Sequence, residues 1–277
     1  MSTTTASTSR ATSGSSLALA VRDSVTMSRR SIHRLIRYPA LTVTVLGMPL
    51  IFLLLFVFVF GETMGAGIGG AGGGRAEYLH YVVPGVLVMA LAGVATSTAI
   101  SVAMDMTEGI IARFKTMPVA RVSVLTGHVV GAVLQSVFVF VTILALAVLL
   151  GYRTDVTATG VVTVTVLVLA TSLALTWLSV LLGIRAKTVE TASNTPMILV
   201  LLPFLSSGFV PTESLPTGLA WFAEHQPFTP LMEALRSGLN GTAAGSDLWV
   251  ALGWCLVAGL ASYVGAKRAY DRDPTTS

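Results

Sequence analysis

Hydrophobic positions along the chain gather into six long stretches that contain no Asp, Glu, Lys or Arg. A helix needs about 20 apolar residues to cross the hydrocarbon core of a bilayer, and each stretch reaches or nearly reaches that length. We therefore predict an all-α membrane protein with six transmembrane helices. The predicted spans cover about 41–60, 79–103, 124–150, 158–184, 192–210 and 247–267.

The basic residues between these stretches predict the orientation of the chain. Loops on the cytoplasmic side of a membrane protein carry an excess of Lys and Arg. If the N-terminus lies inside the cell, all 17 Lys and Arg residues fall on the inner side except Arg75, Arg153 and Arg236. Six crossings put both ends on one side. We therefore expect a multi-pass protein of the plasma membrane with both termini in the cytoplasm.

The composition also favours a lipid environment. Of the 277 residues, 53% are hydrophobic and 11% are charged, and the mean hydropathy is +0.80. Soluble domains carry about 25% charged residues. The net charge of +4 does not indicate a nucleic-acid partner, because the basic residues lie beside apolar stretches rather than in one patch.

Segments on the predicted inner side complete the domain plan. Residues 1–16 are rich in Ser and Thr and are expected to form a disordered tail. Residues 17–37 carry arginines at helical spacing, which predicts an amphipathic helix in the inner membrane interface. Residues 105–118 predict a short cytoplasmic helix that could rest on lipid or dock into a partner's groove. The membrane domain then extends over 17–268, and 269–277 form a cytoplasmic tail.

Two predicted outer segments differ from ordinary loops. The glycine-rich stretch 65–74 lacks the Gly-Lys-Ser/Thr continuation of a phosphate-binding loop, so we predict a flexible linker. Residues 206–246 are punctuated by prolines but stay apolar, which predicts short re-entrant helices between spans five and six. An ordinary outer loop is the alternative for that segment.

No catalytic or metal-binding motif is recognisable in the sequence. None of Lys115, Lys187 and Lys267 follows a glycine, so there is no Walker A motif, and the four histidines show no short metal-ligand spacing. Ion-coupled carriers generally need ionisable groups inside the membrane, and the predicted spans have none. We expect no catalytic residue, metal or cofactor on this chain, so energy for transport must come from a partner.

Three stretches, taken in order, resemble the membrane (permease) subunit of ABC type-2 exporters, in particular the daunorubicin/doxorubicin-resistance permease group of actinobacteria. They are Arg37-Tyr38-Pro39 with Phe60-Gly61, Glu108-Gly109 with Met117-Pro118-Val119-Ala120-Arg121, and Ser207-Gly208-Phe209-Val210-Pro211 with Glu233-Ala234-Leu235-Arg236. The resemblance extends over roughly residues 20–270. His128 departs from it, because relatives commonly have Lys at that position.

The resemblance implies an ATP-driven exporter of a hydrophobic small molecule such as an antibiotic. Two copies of a separate ABC ATPase subunit would bind ATP and Mg, and a second permease protomer, identical or homologous, would complete the translocation path. The ATPase would act on residues 105–118 as a coupling helix. The residues expected to couple to it are Asp105, Thr107, Glu108, Gly109, Arg113, Phe114, Met117 and Pro118.

The resemblance also implies a substrate path between spans one, two and five, where aromatic and Met side chains suit apolar ligands. We expect the path to include Met48, Phe52, Phe56, Tyr81, Met89 and Phe204, and the outer gate to include Phe209, Pro211, Trp221 and Phe228. Export of a lipid or lipid-linked polymer is one alternative, and a membrane scaffold that transports nothing is another.

Overall fold

The computed structural model describes residues 39–69, 74–107, 121–153 and 156–272. These ranges are 87% helical and contain no strand. The predicted tail 1–16, the predicted interfacial helix 17–37 and most of the predicted coupling helix lie outside them. The α-helices of the described ranges are α1 (Pro39–Leu55), α2 (Gly61–Gly69), α3 (Arg75–Thr107), α4 (Arg121–Leu149), α5 (Ala158–Arg185), α6 (Val189–Asn194), α7 (Met197–Leu201), α8 (Thr217–His225), α9 (Phe228–Leu239) and α10 (Gly245–Arg272).

Five helical stretches in the described residues are long and apolar enough to cross a bilayer, which confirms the prediction of an all-α chain with several membrane helices. They are Val45–Ile68, Arg75–Thr107, Leu125–Leu149, Ala158–Arg185 and Gly245–Tyr270. The fifth predicted span, 192–210, is instead divided among α6, α7 and a 3-10 turn at Leu202–Leu205. Pro196 and Pro203 interrupt it, because proline cannot donate the helical hydrogen bond. A sixth crossing stays a prediction.

Helix α3 is the centre of the described fold. Most of its side chains are buried, and it contacts α1, α2, α4, α5, α6, α7 and α9. Small residues allow the closest approach: a Cβ at Gly183 of α5 would lie 2.7 Å from the Ala99 carbonyl oxygen. The central part of α3, residues 78–104, contains no Asp, Glu, Lys or Arg. This suits its burial, because burying an unpaired charge is costly.

The interrupted fifth stretch, residues 192–210, which we call the broken segment, runs antiparallel to α3. Near its start, the Pro196 carbonyl lies 3.5 Å from the Thr96 hydroxyl, which has a shorter bond of 3.0 Å to the Ala92 carbonyl of its own helix. Near its end, the Tyr78 hydroxyl donates to the Phe209 carbonyl over 3.4 Å. At a rise of about 1.5 Å per residue, Thr96 and Tyr78 lie about 27 Å apart along α3. The segment therefore follows α3 over most of the thickness of a hydrocarbon core.

The first helix is longer than predicted, and the flexible linker predicted at 65–74 is wrong for residues 65–69. Helix α1 continues through a π turn, Phe56–Phe60, into α2, which ends at Gly69. Gly65 packs against the backbone of Gly74, where a Cβ would clash, so glycine serves close packing here rather than flexibility.

Two short helices, α8 and α9, occupy the segment predicted to be re-entrant. Helix α9 is amphipathic and packs against α3, α5 and α10. Its buried residues are Phe228, Pro230, Leu231, Met232, Ala234, Leu235, Gly238 and Leu239. The depth of α8 and α9 in the bilayer stays a prediction.

The close approach of Gly85 on α3 to Gly208 on the broken segment generates a stability prediction. A Cβ at Gly85 would lie 2.7 Å from the Gly208 carbonyl oxygen, whereas a Cβ at Gly93 meets nothing within 4 Å. We expect Gly85→Ala to lower the free energy of unfolding in mixed micelles by about 1–3 kcal/mol, since the two backbones must separate. Gly93→Ala on the same helix is the control and should be neutral or slightly stabilising. Equal effects of the two changes would contradict this packing.

Candidate functional site

Aromatic side chains from three separate stretches of the chain meet beside the N-terminal half of α3. The ring centroids of Phe52 and Phe204 are 5.3 Å apart, those of Phe56 and Phe209 are 5.1 Å apart, and those of Phe204 and Phe209 are 4.5 Å apart. Tyr78 adjoins Phe56 at 6.4 Å, and Tyr81 stacks on Tyr78 at 6.4 Å. We call these residues the aromatic cluster: Phe52, Phe56, Tyr78, Tyr81, Phe204 and Phe209.

Local sequence explains how each ring reaches the cluster. Phe52 and Phe56 are one helical turn apart, so they share a face of the first helix. Phe56 also begins the π turn, a rare geometry that often occurs at functional sites. Phe204 lies in the 3-10 turn after Pro203, and Phe209 follows Gly208, whose lack of a side chain lets the chain press against α3.

The cluster offers an apolar surface that is only partly covered by the protein. Phe209 and Tyr78 are buried, while Phe52, Phe56 and Phe204 are partly exposed. At one edge, the guanidinium of Arg236 lies 4.3 Å from the centre of the Tyr81 ring. Aromatic faces of this kind bind flat apolar groups by stacking and attract cations through the ring quadrupole.

The structure brings together four of the six residues predicted for the substrate path, namely Phe52, Phe56, Tyr81 and Phe204. The other two, Met48 and Met89, differ in burial. Met48 is 61% exposed on α1, and Met89 is buried inside the fold on α3. The locations of these six side chains do not test whether they contact a transported molecule, so their roles stay predictions.

The four residues predicted for the outer gate differ in burial and in the element that carries them. Phe209 belongs to the aromatic cluster, and Phe228 is buried at the start of α9. Pro211 lies in the connection between the broken segment and α8. Trp221 is exposed on α8, where its ring stacks on His225 with the centroids 4.7 Å apart.

A side-chain contact between His128 and Asp105 joins α3 and α4 at the end of the fold opposite the aromatic cluster. The Nε2 atom of His128 lies 3.0 Å from the Oδ2 atom of Asp105, and these side chains are 15% and 19% exposed. The Thr107 hydroxyl donates to the Met104 carbonyl over 3.1 Å and is exposed. No local sequence pattern indicates this contact, because the two residues are 23 positions apart in the chain.

The pair borders the segment predicted to couple to an ATPase. Helix α3 ends at Thr107 and α4 begins at Arg121, so the contact connects the two helices that flank that segment. The other predicted coupling residues lie outside the described ranges: Glu108, Gly109, Arg113, Phe114, Met117 and Pro118.

A second polar group lies near the start of α3. The Tyr152 ring packs against His80 with the centroids 4.6 Å apart, and its hydroxyl donates to the Asn240 Oδ1 atom over 3.4 Å. Burial raises the pKa of Tyr152 to about 12, although the charge of Arg236 acts in the opposite direction. The phenol therefore stays neutral and can donate. Among the residues that the structure describes, no three His, Cys, Asp or Glu side chains are grouped to bind a metal ion.

Comparison with known proteins places this arrangement in a family. Residues 23–240 match the ABC-2 type transporter family. The chain belongs to that family. The matched region of this ABC-2 permease includes the whole aromatic cluster and the Asp105–His128 pair.

Two relatives agree with the family assignment. The ABC-2 permease is 32% identical to the daunorubicin resistance ABC transporter permease protein DrrB1 of Streptomyces coeruleorubidus over 245 residues, which are 88% of this chain and 83% of that relative. It is 25% identical to the probable doxorubicin resistance ABC transporter permease protein DrrC of Mycobacterium tuberculosis over 209 residues, which are 69% of this chain and 71% of that relative. The predicted family is confirmed.

The Asp105–His128 contact predicts a measurable coupling between the two side chains. Hydrogen bonds to charged groups contribute about 1.5–3 kcal/mol when they are shielded from water. In a double-mutant cycle of Asp105→Asn and His128→Gln, we expect a coupling free energy of about 1–2 kcal/mol, measured by unfolding in mixed micelles.

The exposed pair Glu62–Arg75 is the matched control for that cycle. Its atoms are 3.8 Å apart, and its side chains are 72% and 46% exposed. Exposed ion pairs contribute little, so Glu62→Gln with Arg75→Gln should give less than about 0.5 kcal/mol. The same small value for both cycles would contradict a structural role for the Asp105–His128 pair.

Proposed function

We propose that this ABC-2 permease is the membrane subunit of an exporter that moves a hydrophobic small molecule, of antibiotic type, out of the cell. The observation that supports it most is the aromatic cluster, which is uncharged, partly exposed and built from α1, α3 and the broken segment. A flat apolar molecule could stack there without having to displace a salt bridge. The drug-resistance names of both relatives agree with such a substrate.

The proposed path runs along the exposed side of the cluster, toward a second permease protomer. Helix α1 carries large apolar side chains on the face next to the cluster, with Met48 and Ile51 both exposed. In a membrane such a face contacts lipid or another protein. A second protomer, identical or homologous, would enclose the substrate between two aromatic clusters.

We infer that the chain crosses the membrane six times with both termini in the cytoplasm. The antiparallel course of the broken segment along α3, about 27 Å, supports a fifth crossing. The excess of Lys and Arg on one side supports the orientation. On this topology α8 and α9 are re-entrant helices of the outer leaflet.

Energy would come from two copies of a separate ABC ATPase, which would hold ATP and Mg. Their contact would be the segment 105–118, acting as a coupling helix. Because Asp105 is paired with His128, its proposed role is to hold α3 and α4 together beside that helix. A push on the coupling helix would then reach α3, whose other end carries Tyr78 and Tyr81.

Export of a lipid or lipid-linked polymer is the second candidate. The exposed apolar face of α1 that favours a lipophilic drug would also accept an acyl chain. The membrane scaffold without transport is the third, and it predicts no effect of any solute on an ATPase.

The first experiment reconstitutes the permease with an ABC ATPase, encoded in the neighbouring reading frame where one is present, in proteoliposomes. We expect daunorubicin, a flat fluorescent drug, to stimulate ATP hydrolysis and to be transported. Glu108→Arg should abolish both while the chain still inserts. The matched control is Glu190→Arg, the same charge change at an exposed position on the predicted inner side, which should retain both activities.

The results separate the three candidates. Stimulation by a fluorescent phospholipid instead of the drug would favour the second candidate. No stimulation by either solute would reject transport in favour of a scaffold. If Glu108→Arg leaves drug-stimulated ATP hydrolysis and transport unchanged, the segment 105–118 is not the coupling helix.

The second experiment tests the aromatic cluster itself. Phe204→Ala removes a ring that contacts both Phe52 and Phe209. Aromatic contacts contribute up to about 1.5 kcal/mol beyond buried area, so we expect the drug concentration for half-maximal ATPase stimulation to rise about tenfold. Phe138→Ala on α4, 55% exposed and outside the cluster, is the control and should leave it unchanged. An equal response of both variants would contradict a binding role.

A further inference from the structure

Arg236 of α9 makes contacts with three parts of the fold. One terminal nitrogen, Nη2, donates to the Ser207 carbonyl over 3.0 Å and to the Tyr81 carbonyl over 3.2 Å. The other, Nη1, donates to the Glu233 carboxylate over 2.6 Å. The side chain is only 17% exposed, so these contacts are largely shielded from water. Sequence reasoning counted Arg236 among the charges of an outer loop.

The shape of the guanidinium suits this position. Its planar fork lets separate nitrogens bond carbonyls and a carboxylate at once, while its flat face lies over the Tyr81 ring. The Tyr81 carbonyl that accepts from Arg236 lies one turn before Pro84 of α3, beside the His80 carbonyl, whose helical donor is missing because proline has no N–H. A lysine at this position would keep the positive charge but would lack the planar, forked set of N–H donors.

The contact with the Ser207 carbonyl holds the backbone just before Phe209, which lies at one end of the aromatic cluster. Gly208 is pressed against Gly85 of α3, and the Phe209 carbonyl accepts from the Tyr78 hydroxyl. The Phe209 ring then stacks on Phe204 with 17° between the planes. The backbone on both sides of Gly208 is therefore held by a side chain from a different helix, α9 on one side and α3 on the other.

We propose that Arg236 is a positioning residue of the substrate path: by holding the Ser207 carbonyl, it keeps Phe209 closed over one end of the aromatic cluster. Glu233 orients the guanidinium from the same helix. The effect on substrate rests on the proposed function, but the effect on Phe209 does not. Loss of Arg236 frees the 206–209 segment to move away from α3 and opens that end of the cluster.

The first test measures how accessible the 206–209 segment is, in the full chain and without an ATPase or drug. Ser207→Cys, placed in a Cys255→Ala background, puts a thiol at a buried position. The probe is N-ethylmaleimide, which crosses membranes, so the result does not depend on topology. We expect Arg236→Gln to speed labelling about tenfold, which corresponds to about 1.4 kcal/mol of easier opening.

Matched variants separate positioning from general loss of structure. Arg153→Gln removes an exposed arginine and should leave the labelling rate unchanged. Thr217→Cys on α8 is exposed and should be labelled quickly in every background. Arg236→Lys and Glu233→Gln should give intermediate rates, and they carry the test if Arg236→Gln fails to insert. Unchanged labelling in all three variants overturns the proposal.

The second test uses the ATPase complex in proteoliposomes. Arg236→Gln should raise the daunorubicin concentration for half-maximal stimulation, measured in complexes whose assembly is checked by co-purification of the ATPase. Arg236→Lys should restore part of the affinity. Faster thiol labelling with no drug response in the unchanged protein would reject the proposed function and retain the positioning role. A drug response with unchanged half-maximal concentration in Arg236→Gln overturns the link to substrate.

Discussion

Lipid offers no hydrogen-bond partners, so a helix that breaks inside a membrane must find donors for its carbonyls within the protein. On the proposed topology, the segment from Pro196 to Phe209 is subject to that constraint. Several of its carbonyls accept from side chains of other elements: Phe209 from Tyr78 on α3, Leu205 from Gln226 after α8, and Ser207 from Arg236 on α9. Helix α3 can serve as this surface because it is long, uncharged over its central part and buried along most of its length.

The same breaks create the aromatic cluster. A continuous helix would place Phe204 and Phe209 about 140° apart around its axis, because each residue advances by about 100°. The 3-10 turn at Leu202–Leu205 and the turn residues 206–209 beyond it bring the two rings into a stack instead. The π turn that begins at Phe56 lies opposite them. Irregular backbone and candidate binding surface therefore coincide, as is common where a helix deviates at a functional site.

The two ends of α3 carry different kinds of contact. At one end Tyr78 and Tyr81 join the aromatic cluster and the broken segment, and at the other Asp105 is tied to His128 of α4. A single helix, about 50 Å long at 1.5 Å per residue, thus links the region of the proposed substrate path to the border of the proposed coupling segment.

The sequence alone determined the membrane class, the apolar stretches and the family, because each depends on the chemistry and order of nearby residues. Charge-free stretches, the placement of Lys and Arg, and the three motif stretches are all readable in one dimension. It also placed Phe52, Phe56, Tyr81 and Phe204 in one hypothetical path. Only the tertiary structure decided that Met48 is exposed while Met89 is buried in the core, that residues 65–69 are helical, and that Arg236 and His128 have partners distant in the chain. These outcomes depend on which helix faces lie against α3, and such pairings follow from packing that no local pattern encodes.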